Sequence, residues 1–168
     1  RPPPTGVIAL ALRPAVDVAA LLAPPGDRPV VLLEQPGDLG NVGAAIRVAA
    51  AAGAAGLLTT GRHDPWHPAA LRGAAGLHFA LPVARLDALP PTLRPLVCVH
   101  VAGESLGARP LPANAILALG SERDGLGVVL LSRAARTVTV PMRRGVSSLN
   151  LATAAAVVLY AWHFDQRL

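Results

Sequence analysis

Apolar residues along the chain fall into short continuous runs separated by longer Ala-rich stretches. Residues 29–34, 57–60 and 116–119 contain no regular polar alternation, the pattern of strands covered on both faces. Residues 79–83 and 96–101 predict two further strands. The alternation of Val138 and Val140 predicts another, which Pro141 stops. Residues 5–10 predict an edge strand. Helical patterns lie between these runs, at residues 17–22, 42–52 with Gly53 as C-cap, 69–75 beyond Pro65 and Pro68, 128–135, and from Leu149 onward through Tyr160. Ser147 and Ser148 are placed to cap the last helix, with Asn150 in its first turn. Strands that alternate with helices predict an α/β domain with a mainly parallel sheet flanked by helices.

Composition narrows the class. At 168 residues, 52% hydrophobic and 15% charged, the chain suits one folded domain with a sizeable core. Cys98 is the single cysteine, so an intrachain disulfide and a thiolate metal cluster are excluded, and a reducing, cytoplasmic setting is expected. The longest apolar run is interrupted by Asn150 and Thr153, and Arg13 and Pro14 break the N-terminal one, so neither a membrane span nor a signal peptide is expected. All fifteen basic residues are Arg and the net charge is +5. That balance fits a polyanionic partner, and it fits coding bias equally well. His63 and His67 are spaced like metal ligands on a helix, but Pro65 lies between them and no third ligand is evident, so no metal is expected. His78, His100, Trp66 and Trp162 read as packing or hydrogen-bonding residues.

Three polar stretches follow predicted strands. Gly40-Asn41-Val42-Gly43-Ala44-Ala45-Ile46-Arg47 opens a helix, with Asn41 and Arg47 expected to face the carboxyl edge of the sheet, where open α/β sheets bind ligands. It lacks the G-x-G-x-x-G of a dinucleotide site, and a chain without Lys has no P-loop. Gly120-Ser121-Glu122-Arg123-Asp124-Gly125-Leu126 forms a second such loop, and Pro141 to Asn150 a third. Each alone also reads as an ordinary turn or capped helix.

In this order the three stretches resemble the motifs of the SpoU (TrmH) family of RNA ribose 2′-O-methyltransferases, of the SPOUT class. Asn41, Gly43, Ala44 and Arg47 match the first motif. Gly120, Ser121, Glu122, Gly125 and Leu126 match the second, and Val140, Pro141, Met142, Ser148, Leu149 and Asn150 the third. Arg123 replaces a glycine of the second motif, and Arg144-Gly145 alters the glycine spacing of the third.

The resemblance implies methyl transfer from S-adenosylmethionine to a ribose 2′-hydroxyl of rRNA or tRNA, by a homodimer whose C-terminal segment forms a deep trefoil knot. It implies a cofactor site at Leu119, Gly120, Val140, Met142 and Leu149. Asn41, Arg47, Glu122, Ser148 and Asn150 would be the catalytic set, with Arg47 as a cation for phosphate and developing alkoxide, since a neutral guanidine is costly. It also implies that residues 1–27 are a linker and edge segment after an N-terminal RNA-binding domain, with residues 28–168 forming the catalytic domain. The alternatives are a catalytically inactive knotted RNA-binding module and a base methyltransferase of the same class.

Overall fold

The structure, a computed structural model, describes residues 6–7, 9–24, 26–146 and 148–166. Continuous apolar runs form the middle of one sheet. β1 (Val30–Leu33) lies between β2 (Gly56–Thr59) and β5 (Ile116–Leu119), and every residue of the three strands is buried. Beyond β2 lies β3 (Val83–Arg85). Beyond β5 lie β4 (Leu96–Ser105) and then β6 (Arg136–Thr139), giving the order β3-β2-β1-β5-β4-β6 with all pairs parallel.

Alternate side chains of β1 feed two layers, as the period of a strand requires. Val31 and Leu33 pack with Ala45, Ile46 and Ala49 of α2 (Leu39–Ala52) and with Ala155, Val158 and Trp162 of α5 (Leu151–Asp165). Val30 and Leu32 pack with Leu22 of α1 (Val18–Leu22) and Leu130 of α4 (Val128–Ser132). The helices α2 and α5 are rich in Ala, and at Gly43 the approach is closer still. A Cβ there would stand 2.2 Å from the Ala70 carbonyl oxygen of α3 (Pro68–Gly73). Thus the glycine of the first motif serves helix packing.

Several boundaries differ from the sequence expectation. α2 starts at Leu39, because Asp38 caps it by accepting the Asn41 N–H at 2.7 Å. Residues 79–83 are no strand: Leu77–Phe79 is a 3₁₀ turn, Phe79 stacks edge-on against Trp66, and the strand begins only at Val83, after Pro82. β4 runs on to Ser105, with an irregularity between Val99 and Glu104 where it pairs with β6. β6 ends at Thr139, so Val140 lies beyond it. Helices α3 and α4 are shorter than expected. Residues 6, 7, 9 and 10 form no strand, and the remaining two of that expected edge segment, Thr5 and Ile8, lie outside the described residues. Asn150, rather than Ser148, is the N-cap of α5, and Ser147 lies outside the described residues.

Candidate active site

Parallel strands deliver their following loops to one edge, so the loops after β1, β5 and β6 meet at the carboxyl ends of the central strands. Their polar side chains form a single chain of hydrogen bonds. Asn150 Oδ1 accepts the free N–H groups of Ala152 (2.9 Å) and Thr153 (3.3 Å) at the start of α5. Its Nδ2 donates to Asn41 Oδ1 at 2.9 Å, and Asn41 Nδ2 donates to Glu122 Oε1 at 2.8 Å. Glu122 Oε2 accepts the Gly37 N–H at 3.1 Å.

The direction of this relay is set at both ends. A helix N-terminus offers only donors, so Asn150 must present its oxygen there and its amide to Asn41. Asn41 in turn has only its amide left for Glu122. The carboxyl group therefore serves as an acceptor on both oxygens, the ionised form. Partial burial pushes the Glu122 carboxyl up, but the hydrogen bonds from Asn41, its own backbone and Gly37 outweigh this and hold it below the ordinary carboxylate value.

Two openings flank the relay. One is a cavity of about 170 Å³ walled by apolar side chains including Val99, Val101, Leu126 and Leu151. That is more than ten times the roughly 10–15 Å³ one water needs, so it is no packing defect. Leu119, Gly120, Val140, Met142 and Leu149, the five residues expected at the cofactor, all line it, together with Ser148 and Glu122. Among the described residues, the main-chain N–H groups of Val140, Met142 and Leu149 have no protein acceptor. Apolar walls with unspent main-chain donors fit an adenine ring and the polar atoms around it. Gly120 is indispensable here: a Cβ would lie 2.0 Å from the Gly125 carbonyl carbon, because Ser121 and Gly125 exchange two backbone hydrogen bonds of 3.1 Å.

The other opening is a polar cleft of about 640 Å³, lined by Gln35, Asp38, Asn41, Arg62, Arg123 and Asn150 among others. Ser121 and Glu122 belong to both walls, so the two openings meet at the end of the relay.

The motif departures are accommodated locally. The left-handed residue of the second loop is Gly125 (φ 68°), which leaves Arg123 free to be any residue at the exposed tip. Gly145 (φ 90°) plays the same part in the third loop, closed by the Val146 N–H on the Arg143 carbonyl at 3.1 Å.

Arg47 departs from expectation. It is exposed on α2, lines neither opening, and makes no hydrogen bond or ion pair among the described residues. Six residues advance a helix by about 600°, so Arg47 points roughly 240° around the axis from Asn41. His100, read as a packing or hydrogen-bonding residue, accepts the Ala102 N–H on Nδ1 at 3.2 Å and also lines the cavity. It enters through the β4 irregularity, which has no local sequence signature. The other histidines and tryptophans are structural. His67 caps α3, His63 accepts from Arg62, and His78 is buried with Nε2 on the Pro65 carbonyl at 2.8 Å. The indoles of Trp66 and Trp162 donate to the carbonyls of Val83 and Ala113.

A parallel α/β domain with three polar loops converging on a cavity at its carboxyl edge defines the class. The chain belongs to the SpoU rRNA methylase family, whose model matches residues 28–160. It is 36% identical over 146 residues to a protein of Synechocystis named as an uncharacterized tRNA/rRNA methyltransferase, covering 82% of this chain and 53% of that protein. It is 37% identical over 142 residues to the 23S rRNA (guanosine(2553)-2′-O)-methyltransferase RlmP of Bacillus subtilis, covering 79% and 57%. Among solved structures, the SpoU methyltransferase AviRb of Streptomyces viridochromogenes in complex with AdoMet superposes with a TM-score of 0.83 at 29% identity. That match covers 92% of this chain and 63% of AviRb. The chain thus spans about half the length of the curated relatives it matches. No helix among the described residues is long and apolar enough to cross a membrane.

Proposed function

We propose that this chain catalyses S-adenosylmethionine-dependent methylation of a ribose 2′-hydroxyl in rRNA or tRNA. The observation that carries the reading is the Asn150–Asn41–Glu122 relay at the junction of an apolar cavity and a polar cleft, in a chain of the SpoU family. The named relatives and the AdoMet complex of AviRb support it. Leu119, Gly120, Val140, Met142 and Leu149 would hold the cofactor, which when bound supplies an activated methyl group on a sulfonium. Glu122 and Ser148, shared with or beside that cavity, orient the ribose hydroxyl, and Asn41 and Asn150 keep Glu122 an acceptor. Arg47, expected as the guanidinium for the neighbouring phosphate and the developing alkoxide, lines neither opening of its own chain, so in this reading it acts from a second copy in the homodimer.

The proposal extends to the chain path and assembly. From β6 at the sheet edge the chain crosses the carboxyl ends of β4 and β5 to bring α5 onto α2, the course a deep C-terminal knot requires. On α5, Val157, Tyr160 and Phe164 lie at helical spacing and are 38%, 40% and 60% exposed, a face suited to a second copy in a homodimer. A cytoplasmic location belongs to the same reading.

The test is incubation with S-adenosylmethionine and total rRNA or tRNA, followed by mass analysis of the nucleosides. A 2′-O-methylated nucleoside is expected, and a methylated base would replace the reading with a base methyltransferase. An inactive knotted module is opposed by the intact relay, and it would show no S-adenosylmethionine binding by calorimetry.

A further inference from the structure

The relay accounts for part of the lining of the polar cleft and leaves the rest unexplained. There, between β1 and α2, stands Gln35 with φ 48°. Among the described residues only Gln35 and Ala75 adopt positive φ without being glycine. A side chain with a Cβ takes this conformation against its intrinsic preference, and such outliers cluster where function holds them. Ala75 closes a short helix, a common place for it. Gln35 lines a cleft beside the candidate catalytic set.

The surroundings enforce the conformation. The Gln35 N–H donates to Thr60 Oγ1 at 3.2 Å, and the Thr60 N–H reaches back to the Leu33 carbonyl at 3.0 Å. Gly61 lies against it so closely that a Cβ there would sit 3.1 to 3.3 Å from the Cα, Cγ and Cβ of Gln35. The side chain gains nothing within the protein, because its carboxamide has no partner among the described residues. Other polar heads on the cleft are engaged. Asn41, Glu122 and Asn150 bond one another, Asp38 caps α2, Asp124 pairs with Ser121, and Arg62 Nε donates to His63. Gln35 and Arg123 are the exceptions.

We propose that this cleft is the subsite for the RNA nucleotide carrying the target hydroxyl, with the Gln35 carboxamide reading the edge of its base and Arg123 holding an adjacent phosphate. The inference rests on the methyltransferase reading. A carboxamide presents a donor and an acceptor side by side in one plane, which matches adjacent groups on a base edge, whereas phosphate offers acceptors alone and suits the guanidinium fork. The target hydroxyl then lies between Gln35 and the Glu122 end of the relay, where the cleft meets the apolar cavity.

The test is Gln35→Gly. Glycine adopts positive φ freely, so the variant melts at or above the parent temperature, and S-adenosylmethionine affinity stays within about twofold. Its kcat/KM for the methylated RNA falls by about tenfold or more, the scale of a lost base-edge pair. Higher stability with lower activity is the opposite of what a purely structural Gln35 gives. Arg123→Gln raises KM for RNA and lowers the slope of log affinity against log salt by about 1. A Gln35→Gly protein that methylates RNA within twofold of the parent overturns the proposal. If the parent transfers no methyl group, it is the methyltransferase reading that fails. Filter binding of total tRNA and rRNA to the two proteins then decides the subsite, equal affinity overturning it.

Discussion

The two ends of the central strands use polar side chains in opposite ways. At the amino end Arg94 is 6% exposed, and its Nη1 donates to the main-chain carbonyls of Arg28 (2.9 Å) and Asn114 (3.2 Å), which precede β1 and β5. Its Nη2 lies so close to Gly26 that a Cβ there would stand 2.0 Å away. Burial lowers its guanidinium pKa, with the Asp27 charge opposing that shift only in part, so the fold tolerates a desolvated cation to staple three segments together. At the carboxyl end Asn41 is half-buried, Glu122 and Asn150 are exposed, and the three bond to one another across separations of 81 and 109 residues. A side chain that satisfies buried carbonyls is part of the fold. A relay of side chains that keeps spare capacity at a cavity is part of a site. Substitutions at the two ends should therefore separate stability from activity.

The largest expected effect tests the activity side. Arg47→Ala should reduce methyl transfer by about a hundred- to a thousandfold, the usual consequence of removing one charge-stabilising donor. Its melting temperature should hold or rise, since Arg47 is exposed, has no partner among the described residues, and gives way to the best helix former. Turnover within a few-fold of the parent would remove Arg47 from the mechanism. Next comes the stability side. Arg94→Ala leaves two carbonyls unpaired and a void, so roughly 2–4 kcal/mol should be lost in denaturant unfolding, with activity per folded molecule unchanged. A variant as stable as the parent would show that the staple is decorative.

Asn150→Ala lies between the two, because Asn150 both caps α5 and feeds the relay. It should cost about 1 kcal/mol as a lost cap and lower turnover as well, since Asn41 is no longer oriented. Asn150→Ser separates the roles: serine can cap but cannot also reach Asn41, so stability should return and turnover should not. Recovery of both would make Asn150 a cap and nothing more.

This double role shows what was legible in the sequence. The buried strands were readable because layers on both faces of the sheet demand uninterrupted apolar residues. The motifs were readable as a set, and of the expected site residues all but Arg47 line the two openings. The choice of cap was not, because Ser148 and Asn150 are both competent locally, and what selects Asn150 is a demand for an amide donor from a residue 109 positions away. Apolar residues 79–83 imitated a strand but serve the packing around Trp66, a tertiary contact. The extension of β4 depends on its pairing with β6 and was invisible locally. The placement of Arg47 was misjudged: it was expected with Asn41 at the carboxyl edge, although helical periodicity sets the two on different faces. The Asp38 cap was missed, since the helix was expected to open at Val42, although an Asp just ahead of the Ala-rich run is a capping signal.

The smallest effect concerns the acid limit. Glu122 has its folded pKa below the ordinary carboxylate value of about 4.3, because three hydrogen bonds to the ionised form outweigh partial burial. A carboxyl with a depressed folded pKa contributes stability that is present above the unfolded pKa and lost as pH falls through the folded one. The parent should therefore be more stable than Glu122→Gln near neutral pH, with the gap closing from about pH 5 downward. Glu104 is also held below the ordinary carboxylate value, by Arg109 and Arg136, but it is common to both proteins and cancels in the difference. Because Glu122 is largely exposed, the gap should be smaller than the cost of losing the Asn150 cap. Thermal melts of the two proteins across this range supply the measurement. A gap that does not change with pH would mean that folding leaves the Glu122 pKa where it stands in the unfolded chain, and the hydrogen bonds of the relay would then not favour the ionised carboxylate.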